Sequence, residues 1–474
     1  MHKPAVNQPT ISDPVLPQLA QISNCQAMRN TFQQLLMQAQ PSLRVLDCQI
    51  DRMKYKRGKS CLISYRLCLA TASSEQQGSD QHSSHQRVCE QLICARFFPQ
   101  GESARRFERA KERFLAPVAW GAPVVHLPEL EMVAWFFPND PKMVGLPRLM
   151  DSNLLRSEVL PSMLAQINPG EPANDWQIAH MTHTLVHYAP EHTCTVRVQL
   201  ALKSETHEDE VPLVLYGKSY YNDDGAETAR LMRELCDEPA HKAGHLALAQ
   251  ALDYDPQHRI LWQRGLAGKP LLAYEAQPGD FLEYLQTAAR SVAALHQCRP
   301  KSSRTITLES WLLKLTEMRS LLHEIRPERQ AQIDQLIDKL LASSASAANT
   351  PQVLLHGDLH LQNFLVDEGK VALIDMDNLC HGSPWLDVGS FVASLFYRGI
   401  VCKRSLQETQ RLTTAFCEAY ADHSQWDYSA AAVQWFSAAA LVNERVYRTI
   451  TRGKGGSLQQ VDALIDCATA LLES

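Results

Sequence analysis

The sequence predicts a mixed α/β protein of the α+β kind, and two observations lead to this prediction. Segments of strand character, separated by turns, dominate the first half of the chain. Apolar residues recur at helical spacing from about residue 280 onward. The 474 residues are enough for two or three domains.

Composition excludes several classes of protein. Hydrophobic residues make up 45% and charged residues 21%, so the chain can form a buried core. A net charge of -6 argues against nucleic acid or an anionic membrane as partner. The 13 cysteines form no Cys-x-x-Cys pair, which favours a reducing, cytoplasmic environment over disulfides or zinc. We expect neither a signal peptide nor a membrane span, because no apolar run is long enough.

The first β-rich region follows residues 1–20, which we expect to be a flexible arm. Its predicted elements are strands within residues 47–70 around a turn at 54–59, a flexible loop at 71–86, a strand at 91–98 and a helix at 103–114. Each of these elements has a counterpart in the next β-rich region, so the order of the elements can be compared between the two regions.

That order recurs downstream. The predicted elements are a turn at 188–193, a strand at 194–202, a polar loop at 203–210, a strand at 211–221 and a helix at 225–236. Residues 55–61 resemble residues 188–194, and residues 92–98 resemble residues 214–220. We interpret this as an internal duplication. The alternative is two unrelated stretches with the same order of elements.

The second half is predicted to be mostly helical, with one short β-hairpin. Helices are expected at 281–297, 308–325, 328–343, 386–397, 405–420, 430–452 and 459–472. Short apolar runs lie at 353–355, 364–366 and 371–374, and the turn 367–370 joins the last two into a hairpin.

The chemistry is concentrated around this hairpin. The polar loop from His356 to Asn363 (HGDLHLQN) precedes it, and Asp375 ends its second strand. The hairpin should therefore bring Asp358, Asn363 and Asp375 together at its open side. Phosphoryl transfer needs a carboxylate that orients the attacking hydroxyl and oxygen ligands that hold magnesium. Asp358 suits the first task, and Asn363 and Asp375 suit the second.

Such a site also needs a cation on the nucleotide phosphates. Lys218 lies in a predicted strand, and Glu234 follows sixteen residues later in the next helix, where it can pair with the lysine. Glu227 is a weaker alternative partner. In the upstream copy Arg96 occupies the lysine position, with Glu112 sixteen residues later. No second set of Asp, Asn and Asp accompanies that copy.

The segment HGDLHLQN, followed by Ile374 and Asp375, resembles the catalytic loop and metal-binding aspartate of the aminoglycoside phosphotransferase / choline kinase family. This resemblance implies a protein-kinase-like bilobal fold. It also implies that Asp358 is the catalytic base, Asn363 and Asp375 are magnesium ligands, and Lys218 is the nucleotide-binding lysine. In the same way His356 would shape the loop and Asp387 would brace it from below.

The resemblance covers about residues 176–472. Residues 261–271 resemble the hinge between the lobes, and residues 293–296 resemble the helix before the catalytic loop. Two departures stand out. Residues 189–193 replace a Gly-rich phosphate loop, and about 170 extra residues precede the match. The implied organisation is an arm (1–20), an upstream β-rich domain resembling a degenerate N-lobe (21–170), an N-lobe (171–265) and a helical C-lobe (266–474).

The predicted reaction is transfer of the γ-phosphate of ATP, with GTP as the alternative nucleotide and with Mg2+, to a hydroxyl of a small molecule. The region of Trp435, Arg445, Arg448 and Arg452 is the expected acceptor pocket, which suits a neutral or anionic acceptor such as a sugar or sugar derivative. These arginines are equally interpretable as a solvated helix face.

Two other functions compete with this prediction. A catalytically silent kinase-like scaffold is conceivable because of the duplicated N-terminal half. A metallohydrolase is conceivable because His356, Asp358 and His360 alternate and would share one face of a strand. His360 is otherwise a loop-packing residue or a substrate contact. Asp377 either reaches the metal or stabilises a turn.

Overall fold

The structure is a computed structural model that describes residues 13–71, 87–167, 176–204, 207–348, 350–451 and 458–473. Most of the predicted loop at 71–86 lies outside the described residues, and so does Arg452. None of the thirteen cysteines forms a disulfide.

The upstream domain is an antiparallel sheet with a helix packed on each face. Its elements are α1 (Leu19–Ile22), α2 (Cys25–Ala39), β1 (Leu43–Lys56), β2 (Ser60–Thr71), β3 (Arg87–Phe97), α3 (Ser103–Lys111), β4 (Val124–Leu127) and β5 (Met132–Phe136). The strand order is β1-β2-β3-β5-β4. Leu16 and Leu19 are buried in the core between this sheet and α2, so the expectation of a loose arm is wrong for residues 13–20.

The N-lobe contains a second five-stranded sheet. Its elements, with the short helices before it, are α4 (Leu146–Met150), α5 (Ser152–Leu154), α6 (Leu160–Ile167), β6 (Gln177–Ala189), β7 (Thr193–Ser204), β8 (His207–Tyr220), α7 (Asp224–Asp237), α8 (Pro239–Lys242), β9 (Ala247–Leu248), β10 (Ala251–Asp255), β11 (Ile260–Arg264) and β12 (Lys269–Pro270). Apolar residues of α4 to α6 pack against this sheet rather than the upstream one. These helices therefore belong to the N-lobe, although the predicted boundary placed them in the upstream domain (21–170). The polar loop predicted at 203–210 is mostly strand, because β7 and β8 extend to either side of residues 205–206.

The two sheets have the same topology and register. The second sheet has the order β6-β7-β8-β11-β10, which is the order of the first sheet element for element. Arg96 lies opposite Leu62 and Val133, just as Lys218 lies opposite Thr195 and Leu261. A helix packs on one face of each sheet. These parallels support the interpretation of an internal duplication.

The C-lobe is helical around a small β-structure. Its elements are α9 (Pro278–His296), α10 (Leu308–Ile325), α11 (Gln330–Ala342), β13 (Val353–Leu355), β14 (Phe364–Asp367), β15 (Lys370–Leu373), β16 (Cys380–Gly382), α12 (Pro384–Cys402), α13 (Leu406–Ala421), α14 (Ala430–Ala440), α15 (Tyr447–Thr451) and α16 (Leu458–Leu471). The predicted hairpin is β14–β15. The helix predicted at 430–452 is present over its described residues, as α14 and α15 joined by a π-helical turn, Leu441–Val446. The predicted fold class, with a β-rich N-lobe, a helical C-lobe and an extra β-rich domain upstream, is confirmed.

Helix α12 is the one described helix with the length and composition to cross a membrane. The protein buries 72% of its most apolar stretch, which is typical of the central helix of a folded domain. It packs against α13 and α14 beneath the polar loop that ends β13. Its first turn carries Asp387, so this apolar helix also positions the site.

Candidate active site

The loop from His356 to Asn363 is anchored by Asp387 from below. The carboxylate of Asp387 accepts hydrogen bonds from the backbone N–H groups of His356 at 2.6 Å and Gly357 at 3.0 Å. His296 contacts the same carboxylate at 3.2 Å, and Tyr420 lies 2.8 Å from the other nitrogen of that ring. Burial raises the pKa of Asp387, but His296 and His356 together, through their charges and hydrogen bonds, outweigh burial and hold the pKa below its usual value.

Gly357 permits the sharp turn that this anchoring requires. Its φ is +78°, a left-handed conformation that favours glycine. A Cβ at this position would lie 2.2 Å from the carbonyl oxygen of Asn378, so no larger residue fits. The His356 ring donates from Nε2 to the carbonyl of Ile374 at 2.9 Å. The loop is thereby joined to the end of β15, where Asp375 follows.

Asp358 projects from this loop and contacts an arginine that arrives from α15. Arg448 Nη2 lies 2.7 Å from Asp358 Oδ1, and His360 Nε2 lies 3.9 Å from Asp358 Oδ2. Burial raises the pKa of Asp358, but the charge and hydrogen bond of Arg448 together with the charges of His360 and His356 outweigh burial, and the pKa falls to about 2. Asp358 is therefore ionised throughout the neutral range.

Asn363 and Asp375 face the same region from two neighbouring strands. Asn363 donates from Nδ2 to the carbonyl of Asp358 at 2.8 Å, which leaves its amide oxygen for another partner. The N–H of Ile374 donates to the carbonyl of Asn363 at 3.0 Å and places Asp375 beside it. Asp375 has a φ of +61°, a left-handed conformation that is costly for a residue other than glycine. Such local strain is often found where a side chain must be directed to a particular point.

Lys218 crosses from β8 of the N-lobe to these aspartates. Its Nζ lies 2.7 Å from Asp375 Oδ1, and it also pairs with Asp377. Burial lowers the pKa of Lys218, but the charges of Asp377 and Asp375 outweigh it and raise the pKa above its ordinary value. Tyr220 donates to Asp377 at 2.7 Å. The structure thus brings four predicted site residues into one cleft, and Asp377 does more there than stabilise a turn.

The predicted pairing of Lys218 with Glu234 is not what the structure contains. Glu234 pairs with Arg230, one turn earlier on α7. Glu227, the weaker alternative, also pairs with Arg230 and accepts from the backbone of Ser303. The spacing of sixteen residues placed Glu234 on the correct helix, but on a face where a nearby arginine neutralises it. Asp375 and Asp377, which follow β15, pair with Lys218 instead of the glutamate.

The turn at residues 189–193 is held by the upstream domain. Glu191 pairs with Arg96 at 2.6 Å and with Lys142 at 2.9 Å, and its side chain is only 6% exposed. The N–H of Glu191 donates to Asp140 at 3.0 Å. Arg96, which occupies the position of Lys218 in the upstream copy, therefore contacts this turn.

The structure changes part of the prediction for the acceptor pocket. Trp435 is 1% exposed and donates to the carbonyl of Leu340, so it belongs to the core and lines no pocket. Arg445 is also buried and donates to the carbonyl of Ser390 at 3.2 Å. Arg448 alone among the described residues of this set reaches the cleft. A solvated helix face, the other interpretation, is wrong for both described arginines.

The donor set of the cleft fits magnesium better than zinc. Magnesium prefers oxygen ligands and is usually bound by one or two carboxylates together with substrate phosphates. Asn363 offers an amide oxygen, and Asp375 offers carboxylate oxygens. The described residues contain no group of three or more His, Cys, Asp or Glu side chains that could hold a metal ion. The alternation of His356, Asp358 and His360 therefore produces no zinc site, and the metallohydrolase alternative has no support.

Comparison with known families decides the class. Residues 206–433 match the model of the phosphotransferase enzyme family. This part of the chain, just under half of it, is similar to that family. The match includes Lys218, Asp358, Asn363, Asp375 and Asp387, and it confirms the predicted family and reaction class. Arg448 and the upstream domain lie outside the matched residues of this phosphotransferase. No curated protein matches the sequence.

Several solved structures are similar to the phosphotransferase. One is a putative aminoglycoside phosphotransferase from Ralstonia eutropha, with 14% identity, a TM-score of 0.44 and coverage of 67% of this chain and 98% of that one. Another is the aminoglycoside phosphotransferase APH(3'')-Id from Streptomyces rimosus, with 16% identity, a TM-score of 0.36 and coverage of 65% and 98%. A choline/ethanolamine kinase family protein from Mesorhizobium loti has 16% identity, a TM-score of 0.39 and coverage of 58% and 85%. These likenesses are weak and identify no substrate.

Proposed function

We propose that this phosphotransferase moves the γ-phosphate of ATP to a hydroxyl of a neutral or anionic small molecule, such as a sugar or a sugar derivative. One observation carries the proposal. Lys218 of the N-lobe lies 2.7 Å from Asp375 of the C-lobe, beside the loop that carries Asp358 and Asn363. A cation that would bind phosphate, a carboxylate that would orient a hydroxyl and oxygen donors that would hold magnesium therefore lie close together between the two lobes.

Each residue has a task in this reaction. Lys218 would bind the nucleotide phosphates, because its raised pKa keeps it protonated. Asn363 and Asp375 would hold magnesium, which offsets charge on the transferring group when it is bound. Asp358, ionised with a pKa of about 2, is a weak base. It would orient the acceptor hydroxyl and take its proton late, which suits the loose transition state of phosphoryl transfer.

Arg448 supports the class of acceptor. Its guanidinium, 2.7 Å from Asp358, cancels the negative charge where the acceptor hydroxyl would sit. A cationic acceptor therefore gains no attraction from Asp358, and a neutral or anionic acceptor is not repelled by it. Arginine also forms paired hydrogen bonds with the hydroxyl and phosphate oxygens of sugars and their derivatives. This favours a sugar-type acceptor over an aminoglycoside or an amino alcohol.

Nucleotide binding is the first test of the proposal. We expect ATP with magnesium to raise the unfolding temperature of the protein, because a ligand that binds only the folded state stabilises it. GTP, measured in parallel, identifies the preferred nucleotide. The absence of any shift with either nucleotide would contradict a kinase function.

An acceptor screen is the second test. ADP release should exceed the acceptor-free rate with members of a panel of neutral and anionic sugars. Aminoglycosides and amino alcohols serve as the cationic arm of the same panel. Stimulation by the cationic arm alone would contradict the proposed acceptor class while leaving the reaction class intact. Nucleotide binding without turnover on any acceptor would favour the silent scaffold.

A further inference from the structure

The turn between β6 and β7 has no backbone donor to offer a phosphate. Gly-rich loops at this position normally bind phosphates through backbone N–H groups. Here Pro190 has no N–H, the N–H of Glu191 donates to Asp140 at 3.0 Å, and the N–H of His192 donates to the carbonyl of Ala189 at 3.0 Å. Another part of the protein must therefore supply these contacts.

Cations of the upstream domain lie against this turn. A crevice beside it is lined by Arg52, Lys54, Leu62, Ser64, Pro190 and His192. Arg52 lies opposite Ser64 and Lys54 opposite Leu62, so these side chains share one face of the upstream sheet. Strand β1 also packs against α15, the helix that carries Arg448. The part of the upstream sheet that carries these cations therefore lies beside both the turn and α15.

The charges of Arg52 and Lys54 are not used elsewhere among the described residues. The one carboxylate at the turn, Glu191, already pairs with Arg96 and Lys142. Within the described parts of the chain, no ion pair involves Arg52 or Lys54. Arg52 is half-buried and Lys54 is exposed. Arg52 and Lys54 thus have no carboxylate partner among the described residues. They lie beside a turn that would face the nucleotide phosphates.

The crevice adjoins the catalytic residues. His192 lines it and stacks on Tyr221, with ring centroids 5.7 Å apart. Burial lowers the pKa of His192, and the charges of Arg52 and Lys54 lower it further, with Asp377 and Lys218 close enough to contribute. His192 is therefore neutral near pH 7, and the positive charge of the crevice comes from Arg52 and Lys54.

We propose that Arg52 and Lys54 of the upstream domain bind the phosphate oxygens of the nucleotide, in place of the backbone N–H groups of a Gly-rich loop. This inference rests on the proposed kinase function. Arginine suits such a site because its guanidinium binds two phosphate oxygens at once. The degenerate copy thereby completes the nucleotide site of the catalytic copy.

The test compares ATP with AMP, which lacks the β- and γ-phosphates. We expect the double variant R52A/K54A to bind ATP, in the presence of magnesium, about tenfold more weakly or worse, since hydrogen bonds between charged groups are the strong ones. AMP should bind as it does to the wild type. Arg109→Ala is the control, because Arg109 is an exposed arginine on α3 of the same domain.

Three outcomes would overturn the inference. They are unchanged ATP affinity in the double variant, an equal loss of ATP and AMP affinity, and a raised KM for the acceptor with unchanged ATP affinity. The last would assign the two cations to an anionic acceptor. Failure of the wild type to bind ATP or GTP would instead contradict the kinase function, so the two failures are distinguishable.

Discussion

Arg448 donates to Asp358 at 2.7 Å, although the two residues are 90 positions apart in the chain. The contact joins α15 to the loop after β13 and lowers the pKa of the candidate base. Nothing in the local sequence of Arg448 distinguishes it from a surface arginine. Its position depends on the π-helical turn that precedes α15 and rotates the following residues relative to α14.

Substitution of Arg448 should change the pH dependence of turnover. Asp358 has a pKa of about 2 beside Arg448, below the ordinary value of 3.8. In Arg448→Gln the lowering charge is lost and burial remains, so the pKa rises. We expect the acidic limb of kcat/KM against pH to move to higher pH in the variant. Arg411→Gln, an exposed arginine on α13, is the control. An acidic limb at the wild-type pH would contradict this role.

Substitutions of Asp358 and Asp375 should impair different steps of the reaction. Asp358→Asn should reduce ATP turnover by about 100-fold to 10,000-fold while magnesium-dependent ATP binding persists. Asp375→Asn should weaken the magnesium-dependent part of ATP binding itself. Asp367→Asn, an exposed aspartate at the tip of the same hairpin, should change neither. Turnover in both site variants at the wild-type rate would contradict the mechanism.

Gly357 should tolerate no side chain, and the chain contains a matched control. Gly357→Ala adds a Cβ 2.2 Å from the carbonyl oxygen of Asn378 at a φ of +78°. Gly369 has nearly the same φ, +80°, but nothing within 4 Å of the added Cβ. Gly369→Ala should therefore lose only about 1 kcal/mol of unfolding free energy. Gly357→Ala should lose several times more, measured by urea denaturation. Equal losses would mean that the close approach is not needed.

Removal of the Asp387 carboxylate should destabilise the C-lobe. Asp387→Ala leaves the buried N–H groups of His356 and Gly357 without an acceptor, at about 1 to 3 kcal/mol each. Because its folded pKa lies below the ordinary value, the stabilisation is present above about pH 4 and is lost as pH falls through the folded pKa. Asp237→Ala, at an exposed position, should leave the urea midpoint unchanged. Equal midpoints for both variants would contradict the anchoring role.

The ion pair between Arg96 and Glu191 should be worth more than the exposed pair between Arg57 and Glu324 of the C-lobe. Glu191 is 6% exposed, whereas Arg57 and Glu324 are 67% and 52% exposed. A double-mutant cycle on the first pair should give a coupling of about 1 to 3 kcal/mol. The same cycle on the second should give about 0 to 1 kcal/mol. Couplings in the reverse order would contradict a role for Arg96 in fixing the turn.

Local sequence predicted the parts of the site that lie within one hairpin. Asp358, Asn363 and Asp375 are close in the chain, and the turn at 367–370 determines how the two strands pair. Lys218 was found because its strand is apolar and its spacing to the helix is regular. For these residues, short-range rules are enough to place the side chain near the cleft.

Most of the contacts that the sequence did not predict are long-range, and the pairing of Glu234 with Arg230 is a local exception. Glu234 lies on the predicted helix, but Arg230 on the same helix competes for it. Asp377 and Arg448 reach Lys218 and Asp358 across 159 and 90 positions of the chain. The duplicated order of strands was visible in the sequence, whereas the face by which the upstream sheet meets the turn was not. Side-chain partners across domains depend on packing that no local pattern encodes.

The upstream sheet is attached to both sides of the cleft, through Arg96 to the N-lobe turn and through Arg57 to Glu324 of the C-lobe. Any separation of the lobes that lets product leave must break one of these attachments. The exposed attachment at Arg57 is the weaker, so we expect opening to begin there. Dissolved salt screens the exposed pair between Arg57 and Glu324 most strongly. If product release limits turnover, we therefore expect turnover to accelerate as ionic strength rises.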